Sequence, residues 1–302
     1  MRYFRVFVLS VLCFSVNAYG QGQDSKPYER DFQVIGAMLA GGFDNANQSY
    51  FDRRGQRETR HRRLHLDIVE VKGRPHHFQV TANWNDKPTE PAARYSWSLA
   101  VDHQERAVVL TSRYYPPGVD PGISDSASAG PCRLIWRRSA AEFVADAATA
   151  GCGRWDPARL VLSEAQLWLT IAGIEGGDFA LHRVREFECY ADIPGVGGGR
   201  AEPYDRYDGL RLHDRGGQVW FDSKDGRRLG ISLLLVDWPI NNYRDAFARD
   251  SLVVYLSEET DGERKELGYA FTVPDADRIG INLKWLLANC YMQSNKDVTP
   301  FM

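Results

Sequence analysis

Two arginine clusters in this chain have the residue types needed to hold an anionic, ring-bearing molecule. The first is Arg62 and Arg63, which open an alternating stretch that continues through Leu64, His65, Leu66 and Asp67. The second is Arg113 with Tyr114, inside Ser112-Arg113-Tyr114-Tyr115. A guanidinium is a planar fork that takes a carboxylate through two parallel hydrogen bonds, so arginine suits carboxylate arms better than lysine does. Asp67 would accept from N–H groups, and Tyr95 and Trp97, two residues apart on one strand face, would form an aromatic wall. Alternation sets Arg62, Leu64, Leu66 and Ile68 on one face of the first strand, and Arg63, His65, Asp67 and Val69 on the other. Which of the two faces points inward is left open. A single surface arginine is more often solvated than ligand-bound, so these residues are candidates by their grouping.

Other motifs carry less chemistry. Gly41-Gly42-Phe43-Asp44-Asn45-Ala46-Asn47-Gln48 ends a short amphipathic segment. Asp and Asn side chains turn a chain by bonding nearby backbone N–H groups, which favours a structural role for Asp44 and Asn45, with Phe43 packed beneath a helix. His61 and His65 share a strand face without the spacing of a metal-ligating pair. His76 and His77 point to opposite faces, and surface or turn roles are expected for all four. Gly197-Gly198-Gly199-Arg200 lacks the following helix that would hold a phosphate. The run from Asp222 to Gly226 lacks a bidentate glutamate at the twelfth position, which is Leu233, so a calcium loop is not expected. No Gly-x-Ser-x-Gly, Ser-x-x-Lys or zincin motif occurs, and no metal ligand set is assigned.

These residues must be positioned by β structure. One amphipathic helix is expected at 31–40, where Phe32, Ile35 and Leu39 recur at helical spacing. Beyond it the period becomes two. Strands are expected at 61–71, 76–84, 95–101, 107–115, 132–138, 160–171 and 181–193, then at 209–214, 218–222, 228–237, 252–258, 267–273 and 279–287. Residues 116–131 read as a loop, and the alanine-rich stretch 140–150 reads as one or two short helical turns. Asp225-Gly226 marks a hairpin. So many strands at short spacing avoid exposed edges by closing on themselves, so the fold class is all-β: a calyx-like antiparallel β-barrel of about ten or more strands with a short N-terminal helix.

Residues 1–20 carry Arg2 and Arg5, an apolar run and small residues at Ala18 and Gly20, the pattern of a secretory signal too short to span a bilayer. Residues 21–302 are then one domain, with 194–302 a C-terminal β extension of it. No later stretch is apolar enough to cross a membrane. Lys and Arg number 37 against 40 Asp and Glu, a net charge of −3 with no basic tract, which argues against a nucleic-acid partner. Of the five cysteines, Cys13 falls in the leader, leaving Cys132, Cys152, Cys189 and Cys290. An even number after export implies disulfides. Three pairings are open, and we favour Cys132 with Cys152 and Cys189 with Cys290. The compartment expected is periplasmic or extracellular.

From residue 31 to 171 the chain resembles the CpcT/CpeT-type phycobiliprotein chromophore lyases. The marks are Phe43-Asp44-Asn45 with Gln48, the basic strand from Arg60, Ser112-Arg113-Tyr114-Tyr115, and Pro131-Cys132 with Gly151-Cys152. That resemblance implies a calyx-like barrel that binds a bilin and presents it to a cysteine of an acceptor protein. Arg62, Arg63 and Arg113 would hold propionates, and Asp67 or Asp44 would serve as the acid. Export separates such a chain from cytosolic pigment assembly. The expectation is therefore an exported binder of a tetrapyrrole-like or other hydrophobic anionic ligand, with active bilin lyase as the alternative. The other alternative is an interaction protein whose barrel is filled by Trp97, Trp136, Trp168, Trp220 and Trp238.

Overall fold

The computed structural model describes residues 26–85, 93–119, 130–148, 152–194, 203–241 and 246–293. The expected leader at 1–20, most of the expected loop at 116–131 and the glycine-rich 195–202 segment lie outside the described residues.

Ten antiparallel strands close into a barrel in the order β1-β10-β9-β8-β7-β6-β5-β4-β3-β2. They are β1 (Gly41–Asp44), β2 (Leu64–Glu70), β3 (His77–Trp84), β4 (Ala93–Asp102), β5 (Ala107–Tyr115), β6 (Cys132–Ser139), β7 (Glu142–Ala147), β8 (Arg159–Leu162), β9 (Gln166–Thr170) and β10 (Asp178–Arg183). Alternation drives the closure: Leu64, Leu66 and Ile68 of β2 and Tyr95, Trp97 and Leu99 of β4 point inward and are buried. Strand β1 is the seam, with Phe43 opposite both Leu66 and Arg183. At Gly42 a side chain would strike Val184, so only glycine lets the seam approach the chain leaving the barrel.

Helix α1 (Pro27–Leu39) begins with proline in its first turn, where the missing N–H costs nothing. It buries Ile35 and Leu39 and packs on β4, β5 and β8. Tyr28 lies near His103 of the β4–β5 turn, so α1 covers the end of the barrel where that hairpin reverses.

Four local expectations are corrected, the first being that 160–171 is two antiparallel strands, β8 and β9, rather than one. Residues 41–44 form strand β1 rather than a turn, and a second helix, α2 (Ala46–Arg54), follows at once. Residues 142–147 are strand β7, not a helical turn, with Phe143 and Ala145 facing the core and Ala140 taking positive φ in the preceding turn. Residues 181–193 are two strands, because the chain leaves the barrel between Arg183 and Glu186 and enters a different sheet.

That sheet has the order β12-β11-β18-β17, from β11 (Glu186–Pro194), β12 (Tyr204–His213), β17 (Arg278–Asn282) and β18 (Leu287–Met292). A second sheet, β13-β14-β15-β16, comprises β13 (Arg215–Asp222), β14 (Arg228–Asn241), β15 (Ala246–Thr260) and β16 (Glu263–Thr272). The β13–β14 hairpin turns at Asp225-Gly226, with Gly226 at positive φ. The two sheets share one buried cluster including Phe187, Ile231, Val254 and Ala288.

Cys132 is bonded to Cys152 and Cys189 to Cys290. The first bridge closes a separation of 20 residues and constrains the unfolded chain by roughly 3 kcal/mol. The second spans 101 residues and joins β11 to β18 inside the C-terminal sheets, rather than to the barrel. Two disulfides indicate an oxidising, exported compartment. Among the described residues no helix is long and apolar enough to cross a membrane.

Candidate functional site

At the barrel end opposite α1, where β2 begins and β3 ends, a cavity of about 530 Å³ opens. Its floor is apolar, from Leu64, Leu66, Ala82 and Leu169. Its aromatic wall is built by Trp84, Tyr95, Tyr114 and Trp155, with Tyr95 and Tyr114 centroids 5.4 Å apart and Tyr114 stacked on Trp155 at 6.2 Å. Among the described residues, the charged groups in its lining are Arg62 and Glu175. The Arg62 guanidinium sits 4.3 Å from the Trp84 ring centroid, a cation–π placement that fixes its plane at the wall. The size and largely apolar lining match a small-molecule site.

The wall is held from behind. Trp155 follows the Cys132–Cys152 bridge, and Tyr95 donates its hydroxyl to the Trp155 carbonyl at 3.0 Å. Burial raises the pKa of Tyr95, keeping the phenol a donor. Next to Trp155, Asp156 is buried, and one carboxyl oxygen accepts from the Gly153 N–H at 2.8 Å. Burial pushes this carboxyl up despite the hydrogen bonds from Gly153 and Ser112.

The segment from Phe43 to Gln48 places the mouth. Asn45 accepts from the Leu64 N–H at 2.7 Å and donates to the Arg62 carbonyl at 2.9 Å, so it fixes the backbone that carries Arg62. Gln48 donates to the Asp178 carbonyl at 2.8 Å and accepts from the Ala180 N–H at 3.1 Å, tying α2 to β10. Phe43 is buried beneath the Arg183 guanidinium.

Of the residues singled out from sequence, Arg62, Tyr95 and Tyr114 meet in the cavity. Trp97 lies in the barrel core, its indole N–H donated to Ser112 at 3.1 Å. Arg113 is exposed on the outer face, and Arg63 and Asp67 face outward on the side of the C-terminal sheets. Trp84 and Trp155 were not singled out. Trp84 could have been found, because it continues the inward parity of Phe78, Val80 and Ala82. Trp155 has no such signal, since a disulfide and a loop set its place.

The outward face of β2 carries a second cluster. Asp44, His65 and His213 bring one ligand atom each within 4.8 Å of one another, a set that superficially resembles a two-histidine, one-carboxylate metal centre. The geometry does not fit a metal. The two imidazoles are stacked at 4.5 Å with planes 20° apart, so their in-plane lone pairs cannot converge on one ion. Asp44 already accepts from the Ala46 N–H, His65, Asn85 and both Nε and Nη2 of Arg63.

The cluster is instead a charge hub. His65 lies between Asp44 and Asp67, 3.1 Å from each. Burial would lower its pKa, but the two carboxylate bonds outweigh it and hold it at about 9. For Asp44, burial raises the carboxyl, and His65 and Arg63 together bring it below its ordinary value. The bond to His65 lowers Asp67. Burial and the neighbouring His65 charge push His213 down to about 4. Contrary to the surface role expected for it, His65 is a buried imidazolium. Asp44 and Asp67 are thus held toward the ionised form outside the cavity, whereas burial pushes the pKa of Asp156, next to Trp155 of the wall, the other way.

Comparisons with protein-family models, with curated proteins and with solved structures return no match to this chain. The fold and site define a closed β-barrel with a cavity compatible with ligand binding.

Proposed function

We propose that this chain is an exported, periplasmic or extracellular binder of a flat, largely apolar ligand with an anionic arm, of tetrapyrrole type, in the manner of the chromophore-lyase family it resembles. The observation that carries the reading is the aromatic cavity with Arg62 laid against Trp84 at its edge. Arg62 takes a propionate, Glu175 accepts ring N–H groups, and Trp84, Tyr114 and Trp155 stack on the conjugated plane. A cavity of about 530 Å³ accommodates much of such a molecule, and the remainder projects through the mouth.

The filled-barrel alternative fares worse. Trp97 and Trp136 do pack the barrel, yet the cavity remains, and Trp168 is on the outside at 48 % exposure. One observation favours the lyase alternative. Asp156, a buried carboxyl whose pKa burial raises next to Trp155, would supply an acid near a bound chromophore that an acceptor thiolate would attack.

The test is titration of the oxidised protein with biliverdin and with haem, following tryptophan fluorescence and ligand absorbance. Saturable one-to-one quenching, weakened in Arg62→Gln, supports the binder. Absence of both signals rejects the tetrapyrrole. Transfer of bilin to an acceptor cysteine, lost in Asp156→Asn, would move the reading to the lyase.

A further inference from the structure

A second cleft, of about 430 Å³, lies between α2 and the outer face of the β13–β16 sheet. It is lined by Tyr50, Arg53, Arg63, Tyr255, Arg264 and Glu266. We propose that this cleft binds a small zwitterion: the phosphate monoester of an amino alcohol, its oxyanion on Arg53 and Arg264 and its ammonium against Glu266 and the tyrosines.

The charges in the cleft are set in place without being neutralised. Arg264 donates from Nε to Ser257 Oγ at 3.0 Å and from Nη2 to Ser232 Oγ at 3.2 Å. With its amide oxygen turned toward the guanidinium, Gln218 accepts from the same group at 2.5 and 3.1 Å. All these acceptors are neutral, so the guanidinium is oriented while keeping its full charge. Arg53 bonds Ser49 Oγ at 3.2 Å, again a neutral partner. Among the described residues, neither arginine has a carboxylate within ion-pair distance, and Glu266 has no basic group within it. Arg63 differs, because Asp44 and the Arg215 and Gly216 carbonyls already hold it; it forms one edge of the cleft.

Glu266 stands two positions from Arg264 on the same face of β16, a separation of about 6.8 Å along an extended strand. Opposite charges that share a cleft without touching are complementary to a ligand carrying both signs. Two guanidiniums suit a phosphate dianion better than a single carboxylate, since together they supply the two positive charges that the dianion matches. Tyr50 and Tyr255 offer aromatic faces to an ammonium group.

The test is calorimetric titration of the full, oxidised chain with phosphoethanolamine, inorganic phosphate and ethanolamine. Phosphoethanolamine is expected to bind about tenfold or more tighter than either fragment. Arg264→Gln should weaken phosphoethanolamine and phosphate alike. Glu266→Gln should weaken phosphoethanolamine while leaving phosphate unchanged or tighter. Thermal melts of both variants check that these exposed substitutions leave the fold intact. Co-sedimentation with phosphatidylethanolamine vesicles, lost in Arg264→Gln, would place the ester on a lipid; binding of the soluble ester alone would place it in solution. No saturable phosphoethanolamine binding, or binding indifferent to Glu266→Gln, overturns the proposal.

Discussion

The imidazoles of His65 and His213 are stacked at 4.5 Å, one on barrel strand β2 and the other at the end of β12, and they hold opposite protonation states. His65 is charged between two carboxylates. His213 stays neutral because it is buried against that charge.

This pair predicts a bell-shaped stability profile. His65 has a folded pKa of about 9, above its ordinary 6.5, so its contribution is complete below pH 6.5 and is lost as pH rises through 9. His213 has a folded pKa of about 4, so as pH falls from 6.5 toward 4 the unfolded chain takes up a proton that the fold refuses. Each limb is worth on the order of 3 kcal/mol at its extreme. Chemical denaturation across this range should give maximal stability near pH 6.5, and His213→Phe should flatten the acid limb only. A profile that rises or falls steadily from pH 4 to 9 would contradict the assignment.

Asn45 is expected to matter for the cavity without touching its contents. Asn45→Ala leaves the Leu64 N–H without its partner and should cost about 1–3 kcal/mol. Asn45→Asp keeps that acceptor and loses the donations to the Arg62 carbonyl and to Gln48 Oε1. It should therefore retain most of the stability yet weaken ligand binding, measured by denaturant melts and fluorescence titration on the same preparation.

Removing the Cys132–Cys152 bridge should loosen the aromatic wall. The double variant Cys132→Ser, Cys152→Ser is expected to lose about 3 kcal/mol and to make Trp155 more accessible to acrylamide quenching. Unchanged quenching would mean that the Tyr95–Trp155 bond and the Tyr114 stack hold the segment by themselves.

Arg62 and Arg113 should differ. Losing a charge-assisted contact costs about 1.5–3 kcal/mol, so Arg62→Gln should weaken an anionic cavity ligand by roughly ten- to a hundredfold. Arg113→Gln, on the outer face, should leave its affinity unchanged. Equal losses would place the anion elsewhere.

The barrel was legible from sequence because alternation is a local signal: Tyr95 with Trp97, and Leu64 with Leu66, declare their shared face within a few residues. Strand β7 was hidden because Ala140, Ala141, Ala145, Ala147 and Ala148 favour helix, and burial of Phe143 against the core overrode that preference. Helix α2 was missed because it has no apolar stripe; its buried residues are Ala46, Ser49 and Asp52. The face grouping of Arg62 with Leu64 and Leu66 was readable, and it placed the cavity arginine with its floor. The pairing of His65 with His213 was not, since a contact between elements so far apart in the chain leaves no mark in either local pattern.

The location of the ligand is tested most directly by obstructing the cavity. Ala82 lies in its floor, and Ala82→Trp would fill that space while leaving Arg62, Arg113 and the outer surfaces untouched. Equilibrium dialysis against biliverdin should show one site per chain in the parent protein and none in Ala82→Trp, with matching circular dichroism spectra. Equal uptake by both would contradict the account, because the ligand would then be bound outside the barrel.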